Sequence, residues 1–506
     1  MEDMKKKLLL VFILYFVIQI FLTQNHTLTA DEGTHALIGL FYKDIFKNIQ
    51  NFHSIERVMN FATDYIVKYP KISPYYPPLY DFLIATVFLF TYSLTIIRIL
   101  NIGLTLLTAF IIYEISKKIL KEKNSAFICQ LFFLLFTIIF YNASKIMADI
   151  LQILMFSIVI LYYLKLRDKK TISKTEILKL SILLALAFLT KYFSIFLPLI
   201  ILLDSYFTNR KFFKYFLLSI ILSLIIISPY VFFYIKFKFY KLLLGVATAP
   251  YWNQLVYFNI FSNFGLFLGP IVAISVIWFI WKNLKNPLIL TWFFAPLCLF
   301  LLMKDCDPRF AFILMPIYAI SCGFLFEKIQ KINLKQKKNL FIGIFIILLL
   351  IQLLNDIIIN YQNFNYPVNY LMKSISTNGS VLIMTEEPVY SSVYIFYGYI
   401  NNVKGNIFRP CIIEKYKISK EFFDEWGIRY LIDQNNTITE KIEKSLDLKV
   451  IEDLESKNFS MRLFETNVKN LVDCNFVCTL QGKVCKGQGF SKILSLINNS
   501  TSTLFE

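Results

Sequence analysis

The 506-residue chain is 57% hydrophobic and only 17% charged, with a mean hydropathy of +0.58, which excludes an ordinary soluble enzyme. A net charge of +18 would suit a nucleic-acid partner in a soluble protein. In a membrane protein it asks instead where the positive charge sits, and no nucleic acid is expected as a partner.

Lys5-Lys6-Lys7 precede an apolar run over about 8–24. The pattern has the charged and apolar regions of a signal peptide, but no small-residue cleavage site follows, so the run reads as a retained first span. The next segment, 25–95, is too long to be a mere connector. Within it, Ala36, Leu37, Leu40, Phe41 and Ile45 recur at helical spacing and predict a helix over Asp31–Ile49. A shorter apolar run, Leu79–Thr91, is opened by Pro77-Pro78 and interrupted by Asp81. It reads as an interfacial helix rather than a crossing.

Ten further runs of spanning or near-spanning length follow at about 96–116, 124–142, 147–164, 177–190, 193–206, 212–235, 263–281, 287–303, 310–325 and 339–359, giving eleven spans in all. With the N-terminus in the cytoplasm, the inner segments hold 22 Lys and Arg in 51 residues, whereas the short outer segments hold seven. Treating 79–91 as a crossing would reverse that bias, so the positive-inside rule sets the orientation. The sequons at Asn25, Asn142, Asn378, Asn435, Asn458, Asn498 and Asn499 all fall outside in this arrangement. The eight cysteines include no CxxC pair, which argues against zinc. Cys474, Cys478 and Cys485 lie outside, where two of them could pair.

From about residue 360 the composition turns mixed. Strands are predicted at Val381–Thr385, Tyr430–Asp433 and Ser460–Phe464, with a helix over Ser419–Trp426. The expected organisation is thus a polytopic α-helical domain over 1–359, with interfacial helices in 25–95, and a small extracytoplasmic α/β domain over 360–506.

Four sets of charged residues stand at outer span ends. Asp31-Glu32 open DEGTHAL after the first span, with His35 one turn on. They suit a general base or metal ligand, or equally an N-cap with a dipole-favoured Glu. Asp149 begins the fourth span, as a cavity-facing carboxylate or as another N-cap. Lys191 interrupts FLTKYFSIF, either snorkelling or facing an anionic headgroup. Arg309, in DCDPRFAFILMP, could pair with Asp305 or Asp307 or grip a phosphate in a fork. A base for an acceptor and cations for a leaving phosphate are what transfer from a lipid phosphate requires.

In order along residues 1–330, DEGTHALI, YYPPLYDFLIA, Asp149, LTKYFSIFLPL and DPRFAFILMPIYAI resemble the GT-C superfamily of polyprenyl-phosphate-sugar glycosyltransferases. Its members include protein O-mannosyltransferases and the lipid A aminoarabinose transferase. The resemblance implies Asp31 as catalytic base, supported by Glu32, with Asp149 as a second carboxylate. It implies Lys191 and Arg309 as ligands of the lipid phosphate, and the helix from Pro77 as a wall for the lipid tail. The donor would be a polyprenyl-phosphate-linked sugar and the acceptor a protein, glycan or lipid. The aminoarabinose transferase has Glu-Lys where this chain has Tyr75-Tyr76. Tyr76 and His35 are carried as further candidates, and a divalent metal is left open because no His falls in the outer segment 236–262.

A transporter or flippase for a lipid-linked sugar is the rival of a different class. It would show paired halves and ionisable groups at the bilayer midplane rather than at the rim. A non-catalytic glycan-assembly protein on the same scaffold is a third reading.

Overall fold

The computed structural model describes residues 2–23, 28–68, 76–120, 122–236, 263–265, 267–300, 308–331, 343, 347–358, 372, 374–375, 380–384, 391–401, 407–408, 428–434, 448–456 and 459–465. The helices are α1 (Glu2–Thr23), α2 (Ala30–Lys47), α3 (Ile55–Lys68), α4 (Leu79–Phe88), α5 (Leu94–Leu120), α6 (Lys123–Leu135), α7 (Thr137–Asn142) and α8 (Ala148–Arg167). They continue with α9 (Lys174–Thr190), α10 (Phe196–Thr208), α11 (Arg210–Lys236), α12 (Gly269–Lys282), α13 (Pro287–Phe300) and α14 (Met315–Gln330). After them come α15 (Ile347–Ile358) and α16 (Ser391–Ile400). The chain forms two compact units. One comprises Met1–Asn25, Tyr75–Tyr80 and Leu94–Asn363; the other comprises His26–Pro74, Asp81–Ser93 and Phe364–Glu506.

The first unit is a helical bundle, and every expected span carries helix. Among the described residues, five helices are long and apolar enough to cross a membrane: Lys6–Thr23, Leu94–Leu120, Ala148–Arg167, Arg210–Phe232 and Ala311–Gln330. The protein is therefore a polytopic helical membrane protein. The run over 124–142 is split at Phe136, whose backbone is extended between α6 and α7. Helix α8 packs against α5, α9 and α10, and 16 of its 20 residues are buried. Its sequence is apolar on nearly every face because little of it meets the surroundings, the exposed exception being Lys165 near its end. On α11, by contrast, Leu224, Ile225 and Phe232 are more than half exposed, as lipid-facing side chains must be.

Helix α14 approaches α6 closely because position 323 carries no Cβ. A methyl group there would run into the Cys129 thiol and the Ser125 carbonyl oxygen, and small residues let membrane helices touch backbone to backbone.

In the second unit, Thr29 caps α2, which then runs to Lys47 and passes into a 3-10 turn over Ile49–Asn51. Gly39 on α2 admits the branched side chain of Ile84 on α4. Phe41, Phe61 and Tyr65 form an aromatic cluster between α2 and α3. Helix α3 was not expected from the sequence. Helix α16 packs on α2. The five strands β1 (Ser380–Met384), β2 (Ile407–Phe408), β3 (Ile428–Gln434), β4 (Lys449–Ser456) and β5 (Phe459–Glu465) form one mixed sheet in the order β2-β1-β3-β5-β4. Strand β1 runs parallel to β2 and β3, while β5 runs antiparallel to β3 and β4. The three expected strands coincide with β1, β3 and β5, whose Val381, Leu431, Ile432, Leu463 and Phe464 are buried.

Asn142 is buried, and its amide donates to the Ile138 carbonyl at 2.7 Å. Tyr75, Asp305, Asp307, Ser419–Trp426, the outer stretch 237–262, the six remaining sequons and Cys474, Cys478 and Cys485 lie outside the described residues.

Replacing Gly323 by Ala should destabilise the bundle by about 1–3 kcal/mol through overpacking. Thermal melting of the detergent-solubilised chain measures this, and an unchanged midpoint would show that the α6–α14 contact is looser than described.

Candidate functional site

In the helical unit, the chain leaves α7 at Asn142 and turns into α8 at Ala148. The turn is fixed by its own backbone: the Lys145 N–H donates to the Asn142 carbonyl at 3.1 Å, and the Met147 N–H donates to the Lys145 carbonyl at 2.9 Å. Asn101, fully buried on α5, donates to the Lys145 carbonyl and to the Tyr80 hydroxyl. Sequence reading passed over Asn101, since a lone Asn in an apolar helix gives no direction of its side chain.

Met147, with extended backbone, is the N-cap of α8, which places Asp149 in the first turn rather than at the cap. Asp149 is buried, and its Oδ1 lies 2.5 Å from the Lys191 ammonium. Lys191 occupies the break after α9. Its backbone is extended, and a 3-10 turn over Tyr192–Ile195 leads into α10. The break turns the chain between two helices that would otherwise read as one apolar segment, and the lysine it carries serves a buried carboxylate instead of merely snorkelling.

Arg309 stands in the 3-10 turn Pro308–Leu314, which the Trp292 indole holds by donating to the Ile313 carbonyl at 3.0 Å. Its Nη1 reaches the Met147 sulfur at 3.0 Å. Asp149, Lys191 and Arg309 thus meet around the stretch 147–149. Tyr76 is half-buried directly before Pro77-Pro78, which precede α4.

In the second unit, Asp31 and Glu32 lie in the first turn of α2. Glu32 is buried and accepts the Thr29 N–H at 2.8 Å, closing the helix start. Asp31 remains partly exposed and is the more accessible carboxylate for a proton transfer. His35 is buried, with Nδ1 2.7 Å from Asp81 Oδ1 on α4. Asp81 was read from the sequence only as an interruption of an apolar helix. It is the buried partner that ties α4 to α2. The signal was present in the cost of placing a carboxylate among apolar residues, but not the identity of the partner. Among the described residues, no three His, Cys, Asp or Glu side chains cluster as metal ligands.

Burial pushes the Asp81 carboxyl above the ordinary carboxylate range, and the neighbouring His35 pulls it partly back. A group that holds its proton more tightly when folded loses stability as pH rises from its unfolded to its folded pKa. Asp81→Asn should remove that fall, while His35→Gln should carry it to higher pH. Melting midpoints recorded against pH check this; identical pH dependence in wild type and Asp81→Asn would contradict it.

Residues 75–233 match the family described as dolichyl-phosphate-mannose-protein mannosyltransferase. No curated protein sequence matches. Among solved structures, the chain resembles ArnT from Cupriavidus metallidurans in the apo state, at a TM-score of 0.61 and 12% identity over 91% of this chain and 98% of that one. It resembles the same protein bound to undecaprenyl phosphate at a TM-score of 0.59 and 12% identity, over 90% and 97%. It also resembles the archaeal oligosaccharyltransferase AglB from Archaeoglobus fulgidus, in complex with an inhibitory peptide and a dolichol-phosphate, at a TM-score of 0.58 and 11% identity, over 94% and 77%. The chain therefore shares the fold of these solved structures, in keeping with the GT-C resemblance that its sequence motifs carry.

Proposed function

We propose that this protein is a glycosyltransferase that moves a sugar from a polyprenyl phosphate to an acceptor on the extracytoplasmic face of the membrane. The observation that carries this reading is the meeting of Asp149, Lys191 and Arg309 around a short turn at the end of the bundle. Two of the solved structures of this fold hold undecaprenyl phosphate or dolichol-phosphate, which supports a lipid-phosphate donor. The charge bias supports a cytoplasmic N-terminus, eleven crossings and a C-terminal domain outside.

In the proposed single displacement, Asp31 takes the proton of an acceptor hydroxyl. The resulting oxygen attacks the anomeric carbon while the carbon–oxygen bond to the lipid phosphate breaks, and the configuration at that carbon inverts. The lipid phosphate leaves with the bonding electrons. Arg309 and Lys191 stabilise its growing charge, and preorganised cations act most strongly where water is excluded. Asp149 holds Lys191 in place. Glu32 keeps the first turn of α2 closed so that Asp31 stays oriented.

The test incubates the purified protein with a panel of polyprenyl-phosphate sugars and acceptors and follows release of the lipid phosphate. Asp31→Asn should slow transfer by about 10²–10⁴-fold with unchanged membrane insertion. Near-wild-type transfer by that variant would contradict its role as base, and no turnover of any donor by the wild type would contradict the proposed activity.

A further inference from the structure

The Asp149–Lys191 pair raises a question of charge. At 2.5 Å the carboxylate offsets part of the lysine's charge, so Lys191 spends only part of its field on a leaving phosphate. Stabilisation of developing charge gains most from cations not already matched by a carboxylate. The turn before α8 carries one that the mechanism above does not use.

Lys145 is half-buried in that turn, four positions before Asp149. Its ammonium lies 3.3 Å from the centroid of the Tyr141 ring, and it makes no ion pair with a described carboxylate. An aromatic face holds an ammonium far more weakly than a carboxylate does, so a phosphate can displace it at small cost. The backbone of Lys145 is fixed on three sides: its N–H donates to Asn142, and its carbonyl accepts from Met147 and from the buried Asn101. The side chain therefore swings from a rigid base. Two residues further on, Met147 receives the Arg309 guanidinium, and α8 begins with its amide groups, which add partial positive charge. Two cations and a helix start thus flank one short turn.

We propose that Lys145, together with Arg309 and Lys191, contacts the phosphate of the lipid-linked donor. This rests on the proposed glycosyl transfer, and it names a further residue that grips the leaving group. The phosphate chemistry is shared by polyprenyl phosphate, anionic phospholipid headgroups and inorganic phosphate, so the test separates the three.

The full chain in phosphatidylcholine nanodiscs is assayed for transfer, for product inhibition by polyprenyl phosphate, and for direct binding of polyprenyl phosphate. Inorganic phosphate and phosphatidylglycerol serve as competitors. Lys145→Gln should lower kcat/KM for the donor and weaken polyprenyl phosphate binding by about 10- to 100-fold, the size of a lost charge-assisted hydrogen bond. Lys145→Arg should retain most of both, with the same melting midpoint. Neither competitor should displace polyprenyl phosphate at comparable concentration. Wild-type binding by Lys145→Gln, equal losses in the Gln and Arg variants with a lowered midpoint, or displacement by phosphatidylglycerol would each overturn the proposal. If no donor turns over, the direct binding measurement still decides Lys145: loss of binding in the Gln variant upholds the contact while the transfer reading falls.

Discussion

The helical unit depends on one ion pair placed where charges are expensive. Asp149 lies in the first turn of α8 and Lys191 in the break after α9, and both are largely out of solvent, with side-chain exposures of 4% and 13%. Removing one partner of such a pair costs about 3–5 kcal/mol, because the other is left desolvated and uncompensated. That penalty constrains the chain on both sides. Helix α9 must stop at Thr190 so that Lys191 can turn its ammonium toward α8, and α8 must begin at Ala148 so that Asp149 lies in its first turn. The helix start itself favours a carboxylate there. The turn before it, pinned by Asn101, brings the Met147 sulfur to Arg309. A break in an apolar segment and a charge at a helix end are therefore two sides of one interaction.

The second unit meets the same cost with a denser network. Lys43, only 2% exposed, lies 2.6 Å from Asp44 and donates to the Tyr92 and Tyr399 hydroxyls at 3.0 and 2.7 Å. Asp44 also accepts from Tyr65 and Tyr399. Burial works against the ammonium, but its bonds to Asp44, Tyr399 and Tyr92 more than offset this and hold its pKa above the usual lysine value. The contact joins residues some 356 positions apart, which is why the long first loop and the C-terminal helix α16 fold as parts of one compact unit. His35 and Asp81 repeat the device on a smaller scale between α2 and α4.

The spans were legible because lipid demands long apolar helices, and each predicted run carries helix in the structure. The charge bias set an orientation for the same physical reason. The charges Asp149, Lys191 and Arg309 could be picked out because a charge at the edge of an apolar run stands out. Their partners could not, since pairing is a property of packing: Lys191 was read as snorkelling or facing a headgroup, whereas the structure sets it against Asp149, and Arg309 reaches Met147 while Asp305 and Asp307 lie outside the described residues. Helix α3 was missed although Ile55–Lys68 carries its apolar residues on one side, because neither proline nor a span boundary frames it. Asn101 and Asp81 were missed for the reason that hides most buried polar groups: their role lies in what they touch.

The claim that the Asp149–Lys191 pair organises the phosphate-facing end of the bundle is tested most directly by a double-mutant cycle. Asp149→Asn, Lys191→Met and the double variant would be compared by thermal melting and by donor turnover, using the full chain in lipid nanodiscs. The account predicts that each single change is strongly destabilising and that the double variant is less damaged than the sum, with a coupling of at least about 1 kcal/mol. It also predicts that turnover stays lost in the double variant, because an apolar repair restores packing but not the charge. Additive stabilities together with wild-type turnover in the double variant would contradict it.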